Sequence, residues 1–97
     1  MSDTLPSRMN LVVITPHELV VDEEVSEVAL PALDGYVGIL PGHRNLILAL
    51  GKGVLSFKKD RGGNEVEIQG GYAKIVADSV HVFTELGGHE NKSADKG

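Results

Sequence analysis

The chain has 97 residues, enough for one domain with a modest core and hardly more. Fourteen acidic against nine basic residues give a formal net charge of -5, which argues against a nucleic-acid binder; with no cysteine, disulfides, zinc–thiolate sites and thiol nucleophiles are excluded. Tyr36, Phe57, Tyr72 and Phe83 are its only aromatic residues, so Val, Leu and Ile must supply the core.

Residues 1–8 form a polar lead-in containing Pro6, expected to be flexible, and no secretory signal is read in Met1 to Asn10. Met9 to Ile14 is dense in β-branched residues and predicts a strand stopped by Thr15-Pro16, with His17 and Glu18 in the turn. Leu19 to Val21 resumes β character, and the acidic stretch Asp22, Glu23, Glu24 is expected to interrupt it. Val25 to Leu30 alternates in part, with the even-numbered face inward. Pro31, which has no N–H for a ladder, is expected to close that strand.

Leu33 to His43 is punctuated by Gly35, Gly38 and Gly42 and stiffened by Pro41. It predicts a constrained loop whose Val37, Ile39 and Leu40 are tucked against the core. Leu46 to Leu50 is too short for periodicity to separate a strand from a helical turn, and Gly51 and Gly53 predict a turn around Lys52. Val54 to Phe57 and Glu65 to Gln69 predict a hairpin across a loop from Lys59 to Asn64, with Val66 and Ile68 facing in. Lys58, Lys59 and Arg61, the densest basic group, read as a solvated hairpin tip.

Gly70-Gly71 marks either a bulge or the close approach of another backbone. Tyr72 to Val76 and Val80 to Thr84 predict a second hairpin around Asp78-Ser79. Residues 87–97 are a polar tail with nothing to bury, expected to be disordered. Seven to ten short strands without an amphipathic helix define an all-β fold, a small flattened β-sandwich over residues 9–86.

Chemistry is hard to find in this pattern. His17, His43, His81 and His89 match no metal-ligand spacing, and His81 reads as a surface residue. Ser26, Ser56, Ser79, Asp34, Asp60 and Asp78 fall into no nucleophile elbow or triad order. Gly35-x-x-Gly38 lacks the third glycine and the strand–turn–helix setting of a dinucleotide site. No apolar run approaches the roughly 20 residues that cross a bilayer, so membrane contact would have to pass through protein partners. The expectation is a protein without enzymatic activity, cofactor or metal.

What generic packing leaves open is the segment from Asp34 to His43. A rigid loop carrying apolar residues suits a protein interface, because little ordering entropy remains to be lost on binding. Equally, its glycines and Pro41 could simply close the sandwich.

The run Gly35-x-x-Gly38-Ile39-Leu40-Pro41-Gly42-His43, with Leu46, Leu50-x-x-Gly53 and Gly70-Gly71-Tyr72 in order behind it, resembles the amino-terminal domain of the epsilon subunit of the rotary, F-type ATP synthase (delta in mitochondrial naming). Leu11 to Val13 before Thr15-Pro16, and Val25 to Pro31 before the glycine run, fit the same pattern, so the likeness covers residues 9–86. The resemblance implies a sandwich at the foot of the central stalk that binds the gamma subunit and touches the c-ring, coupling proton flow to ATP synthesis. It implies a peripheral place on the cytoplasmic face of a bacterial plasma membrane, or on the equivalent side of an organelle membrane. Tyr36, Val37, Gly38, Ile39, Leu40, Pro41, Gly42 and His43 become the candidate partner interface, with Tyr36 to Leu40 toward the c-ring and His43 toward gamma.

Two departures from the family stand out. Arg44-Asn45 replaces the small residue and proline common after the motif histidine, and is expected to alter the local turn but not the fold. The chain stops in a polar tail where family members continue into two helices, so ATP sensing and helix-mediated inhibition are expected to be absent. The alternatives are a stand-alone β-sandwich module that binds a peptide or small ligand and, more weakly, a small regulatory domain that is fused to an enzyme in nature.

Overall fold

The computed structural model describes residues 8–59 and 62–86. They form seven strands: β1 (Met9–Ile14), β2 (Leu19–Val25), β3 (Glu27–Ala32), β4 (Gly35–Ile39), β5 (Leu46–Lys59), β6 (Gly62–Val76) and β7 (Ser79–Phe83). The hydrogen-bonded order is β2-β1-β7-β6-β5-β3-β4. The β1–β7 pair is parallel and every other neighbouring pair is antiparallel.

The ladder becomes a flattened sandwich because β5 and β6 belong to both layers. Leu46 to Leu50 of β5 pairs with Gly71 to Ile75 of β6, which continues to β7, β1 and β2. Lys52 to Lys59 pairs with Gly62 to Gln69, and the same half of β5 carries β3 and then β4. The inward parity changes at the junction. Leu46, Leu48 and Leu50 turn toward the core before it, and Leu55 and Phe57 after it. In β6 the switch is from Val66 and Ile68 to Ala73 and Ile75. Both strands change face at one level, so the pairing stays in step while the buried side is exchanged.

Glycine makes that junction possible. Gly70 and Gly71 have φ of +78° and +105°, which L side chains avoid. A Cβ on Gly71 would strike the carbonyl oxygen of Phe83, with the Phe83 carbonyl carbon and Thr84 Cα each at 3.0 Å. The Thr84 hydroxyl donates to the Gly70 carbonyl, and Gln69 N donates to Glu85 O at 2.8 Å, satisfying polar groups that the bulge takes out of the ladder.

The core is one cluster: Met9, Leu11 and Val13 of β1; Val21 and Val25 of β2; Val28 and Leu30 of β3; Ile39 of β4; and Leu50, Leu55, Phe57, Ile68, Ala73, Ile75, Val80 and Val82 from β5 to β7. β1, β3 and β7 contribute alternate residues to it, so the period-2 pattern decides which of their faces is buried. Lys59 Nζ of β5 meets Glu23 Oε1 of β2 at 2.7 Å, tying strands far apart in the sheet order.

Several sequence expectations are corrected. The acidic stretch does not interrupt β2, which runs unbroken from Leu19 to Val25. It is an edge strand, where charge discourages pairing with another chain. Pro31 does not end β3. It pairs with Tyr36 of β4, while the register against β5 breaks between Ala29 and Ala32, where its missing N–H is tolerated. Lys52 is no turn but mid-strand in β5, and Leu46 to Leu50 is strand as well. The first hairpin is tighter than expected, since Lys59 pairs with Gly62. The second turns at Ala77-Asp78, with Ala77 at φ +54° and Val76 paired with Ser79. The lead-in expected to be flexible, apart from Arg8, and the tail at 87–97 expected to be disordered lie outside the described residues, as do Asp60, Arg61 and His89.

Candidate partner interface

The segment read as a constrained loop is mostly strand: Gly35 to Ile39 is β4, at the edge of the sheet opposite β2. Leu40-Pro41-Gly42-His43 then forms a β-turn closed by His43 N donating to Leu40 O at 3.1 Å. Pro41 presets the second position and Gly42, at φ +87°, supplies the left-handed third, the demands of a type II turn.

The eight residues have different fates. Ile39 is fully buried in the core, and Val37 packs against it from a half-buried position, so neither side chain is offered to a partner. Tyr36 and Leu40 are exposed, at 62% and 57%. The Tyr36 hydroxyl accepts from Val54 N at 3.0 Å. That hydrogen bond fills the place where β3, broken at Pro31, leaves β5 without its regular partner. Tyr36 thereby lies over Gly53, where a Cβ would meet Pro31 Cβ at 2.8 Å and the Tyr36 hydroxyl at 2.9 Å. His43 Nδ1 is 2.8 Å from Arg44 O. A carbonyl can only accept, so Nδ1 carries the proton of this hydrogen bond. Asn45, part of the Arg44-Asn45 departure from the family pattern, accepts from Ala77 N at 3.0 Å and pins the β6–β7 turn.

A second surface was not singled out from the sequence. On the outer face of the layer formed by β2, β1, β7 and parts of β6 and β5, a row of apolar side chains crosses every strand. Register places Leu19 opposite Ile14, Ile14 opposite Phe83, Phe83 opposite Tyr72, and Tyr72 opposite Ala49. Leu33 N donates to Ala49 O at 3.2 Å and extends the row past β5. Tyr72 stacks on Phe83 with ring centroids 5.0 Å apart, and His81 meets the same ring edge-on at 6.5 Å. Ile47 and Val76 lie on this face too, and Leu19, Leu33, Ile47, Tyr72 and Val76 are all exposed. A pocket of about 530 Å³ opens beside the row, lined by Ile14, Pro16, Tyr72 and Phe83 among others. The signal was present in β1, where Val12 and Ile14 are apolar on the parity opposite Leu11 and Val13, as a strand covered on two faces requires. His81, read as a surface residue, is half-buried in this face.

Among the described residues, no group of three or more His, Asp or Glu could hold a metal ion. Ser26 Oγ donates to Lys58 O at 3.3 Å, which gives that hydroxyl a role in tying the β2–β3 junction to β5. Thr15 Oγ1 accepts from His17 N and Glu18 N, both at 3.1 Å, and shapes the β1–β2 turn. No helix of the described residues is long and apolar enough to cross a membrane.

The described residues make an antiparallel-rich β-sandwich with a glycine-stapled junction and an exposed apolar row on one outer face. Residues 8–86 match the model of the ATP synthase Delta/Epsilon chain β-sandwich domain, and the chain belongs to that family. It is 35% identical over 82 residues to the ATP synthase epsilon chain of Solibacter usitatus, covering 84% of this chain and 61% of the relative. To the epsilon chain of Synechococcus sp. (strain WH7803) it is 42% identical over 82 residues, covering 81% of this chain and 60% of the relative. The chain thus spans about three fifths of the length of these relatives. Its fold matches a chain from the cryo-EM structure of the Euglena gracilis mitochondrial ATP synthase, with a TM-score of 0.78 at 20% identity, over 97% of this chain and 65% of that one. A chain from the Tetrahymena thermophila mitochondrial ATP synthase central stalk and c-ring matches with a TM-score of 0.73 at 14% identity, over 96% and 75%.

Proposed function

We propose that this chain is a non-catalytic subunit of the central stalk of an F-type ATP synthase, binding the gamma subunit and contacting the c-ring to couple proton translocation to rotary ATP synthesis. The observation that carries this reading, beside family membership, is the uncovered apolar row from Leu19 to Leu33. A monomeric soluble domain rarely leaves such a contiguous face wet, whereas a subunit permanently held in an assembly buries it. The row and His43 take the gamma subunit, and the β4 end with Tyr36 and Leu40 approaches the c-ring. The subunit is peripheral, on the cytoplasmic face of a bacterial plasma membrane or the equivalent side of an organelle membrane, and reaches the bilayer only through its partners.

Calorimetric titration against the gamma subunit of the same organism tests the reading. Saturable binding is expected, weakened at least tenfold by Ile47→Asp, which places a negative charge on the β5 side of the apolar face at a residue that is 69% exposed in the free domain. Absence of binding by the wild-type chain at micromolar concentration overturns the reading in favour of a stand-alone binding module.

A further inference from the structure

The two edges of the sheet are built differently. The β2 edge carries Asp22, Glu23 and Glu24 along its length. Gly35 to Ile39 of β4 contains no charge, no proline and no bulge against β3. An edge left without these devices accepts another strand.

The main-chain groups available there follow from Pro31. It pairs with Tyr36 but has no N–H, and its nitrogen is turned toward β5, where the register breaks. The hydrogen-bonded pairs of β3 and β4 therefore fall at Leu30–Val37 and its alternates, and the N–H and C=O groups of Tyr36 and Gly38 point to the open side. Gly38 has no internal reason to be glycine. Its φ lies outside the left-handed region, and a Cβ would meet nothing within 4 Å. Of the β4 side chains, Ile39 is buried, Val37 half-buried, and Tyr36 is exposed with its hydroxyl held by Val54 N. Beside the Tyr36 ring, what this stretch presents is backbone.

We infer that the open edge of β4 binds its partner by strand addition, receiving an extended, uncharged segment of the partner subunit on the N–H and C=O groups of Tyr36 and Gly38. The inference rests on the central-stalk reading and names the mode of contact at the β4 end. A second copy of the chain is the less fitting occupant. A five-residue edge spans about 17 Å and buries far less than the roughly 1,000 Å² a specific dimer needs, and both copies would bring a net charge of -5. A partner subunit that also covers exposed Leu40 and Leu33 supplies the missing area.

The test uses Gly38→Pro, which removes the outward N–H while leaving the ladder to β3 intact, the one setting in which a strand tolerates proline. Gly38→Ala keeps the N–H and adds a methyl in open space. Binding of each chain to the purified assembly of gamma subunit and c-ring is titrated, with melting curves as the check on folding. Strand addition predicts that Gly38→Pro binds about tenfold more weakly and Gly38→Ala within twofold of wild type. Undiminished binding by Gly38→Pro overturns strand addition and leaves the stalk reading standing. Equal weakening by both variants overturns it too, since the contact is then on the face. Failure of the wild-type chain to bind overturns the stalk reading itself and the inference with it. A concentration-dependent dimer of the free chain that Gly38→Pro abolishes gives the edge to a second copy and overturns the inference. If Gly38→Pro does not fold, amide exchange at Tyr36 and Gly38 decides: both should slow on assembly of the wild-type complex, and unchanged exchange overturns the proposal.

Discussion

Gly71→Ala probes the element on which the sandwich depends. Gly71 sits at φ +105°, where a side chain is strained by about 1–3 kcal/mol whatever the space around it. The new methyl also meets Phe83 and Thr84 backbone, which is fixed by β7 and by Thr84 N donating to Ile14 O at 3.0 Å, so it cannot turn aside as a side-chain tip would. Overpacking of this kind adds about 1–3 kcal/mol, giving a loss of roughly 2–6 kcal/mol from a domain whose total stability is of the order of 5–15 kcal/mol. In urea, with an m-value of about 1.5 kcal/mol per molar, the unfolding midpoint falls by about 1.3 M or more. Gly38→Ala is the control, because its Cβ enters open space, and its midpoint stays within about 0.3 M of wild type. A Gly71→Ala midpoint as close to wild type as that of the control would show that the strand junction is not held by the Phe83 approach, and the account of how one ladder becomes two layers would fail.

Tyr36→Phe deletes the acceptor for Val54 N and lowers stability by about 0.5–1.5 kcal/mol in the same urea assay, if the hydroxyl repairs the gap at Pro31 as argued. Leu55→Ala, at a fully buried site, costs about 2–5 kcal/mol, and a loss below 1 kcal/mol would contradict the single-core description. Ala77→Gly relieves a left-handed residue worth about 1–2 kcal/mol against a glycine entropy cost of about 0.4–1 kcal/mol, so the melting temperature should hold or rise; a clear fall would refute the turn geometry. His43→Ala should weaken titrated gamma binding while leaving the melting curve in place, since the ring bonds only its neighbouring carbonyl, and unchanged affinity removes His43 from the interface.

Much of the fold was legible because short strands with period-2 burial are a local property. Met9 to Ile14, the arm carrying Val66 and Ile68, and the pair of glycines before Tyr72 all lie where the pattern placed them. The misreadings share a cause. Gly51, Gly53, Pro31 and the acidic stretch are turn signals by propensity, and tertiary context overrode each. Gly53 is glycine because Tyr36 and Pro31 lie over it, and Pro31 is tolerated because Tyr36 takes over the neighbouring hydrogen bond. Neither cause is visible without knowing that β3, β4 and β5 are adjacent. The glycines of the β4 segment suggested a loop because an uncharged edge strand with bare positions has no distinct local signature. The apolar outer face was hidden for a simpler reason: assigning it needs the inward parity of every strand, and β5 and β6 change parity midway.

The central claim is that the domain couples the rotor to proton flow through its partners, and the most direct test is functional. Inverted membrane vesicles stripped of the native subunit are supplied with this chain, and ATP-driven proton pumping is compared with ATP hydrolysis. The account predicts that the wild-type chain restores pumping per ATP hydrolysed, and that Ile47→Asp at the same concentration does not. Restoration by both chains alike would contradict the assignment of the apolar face, and hydrolysis that stays uncoupled with saturating wild-type chain would contradict the coupling role itself.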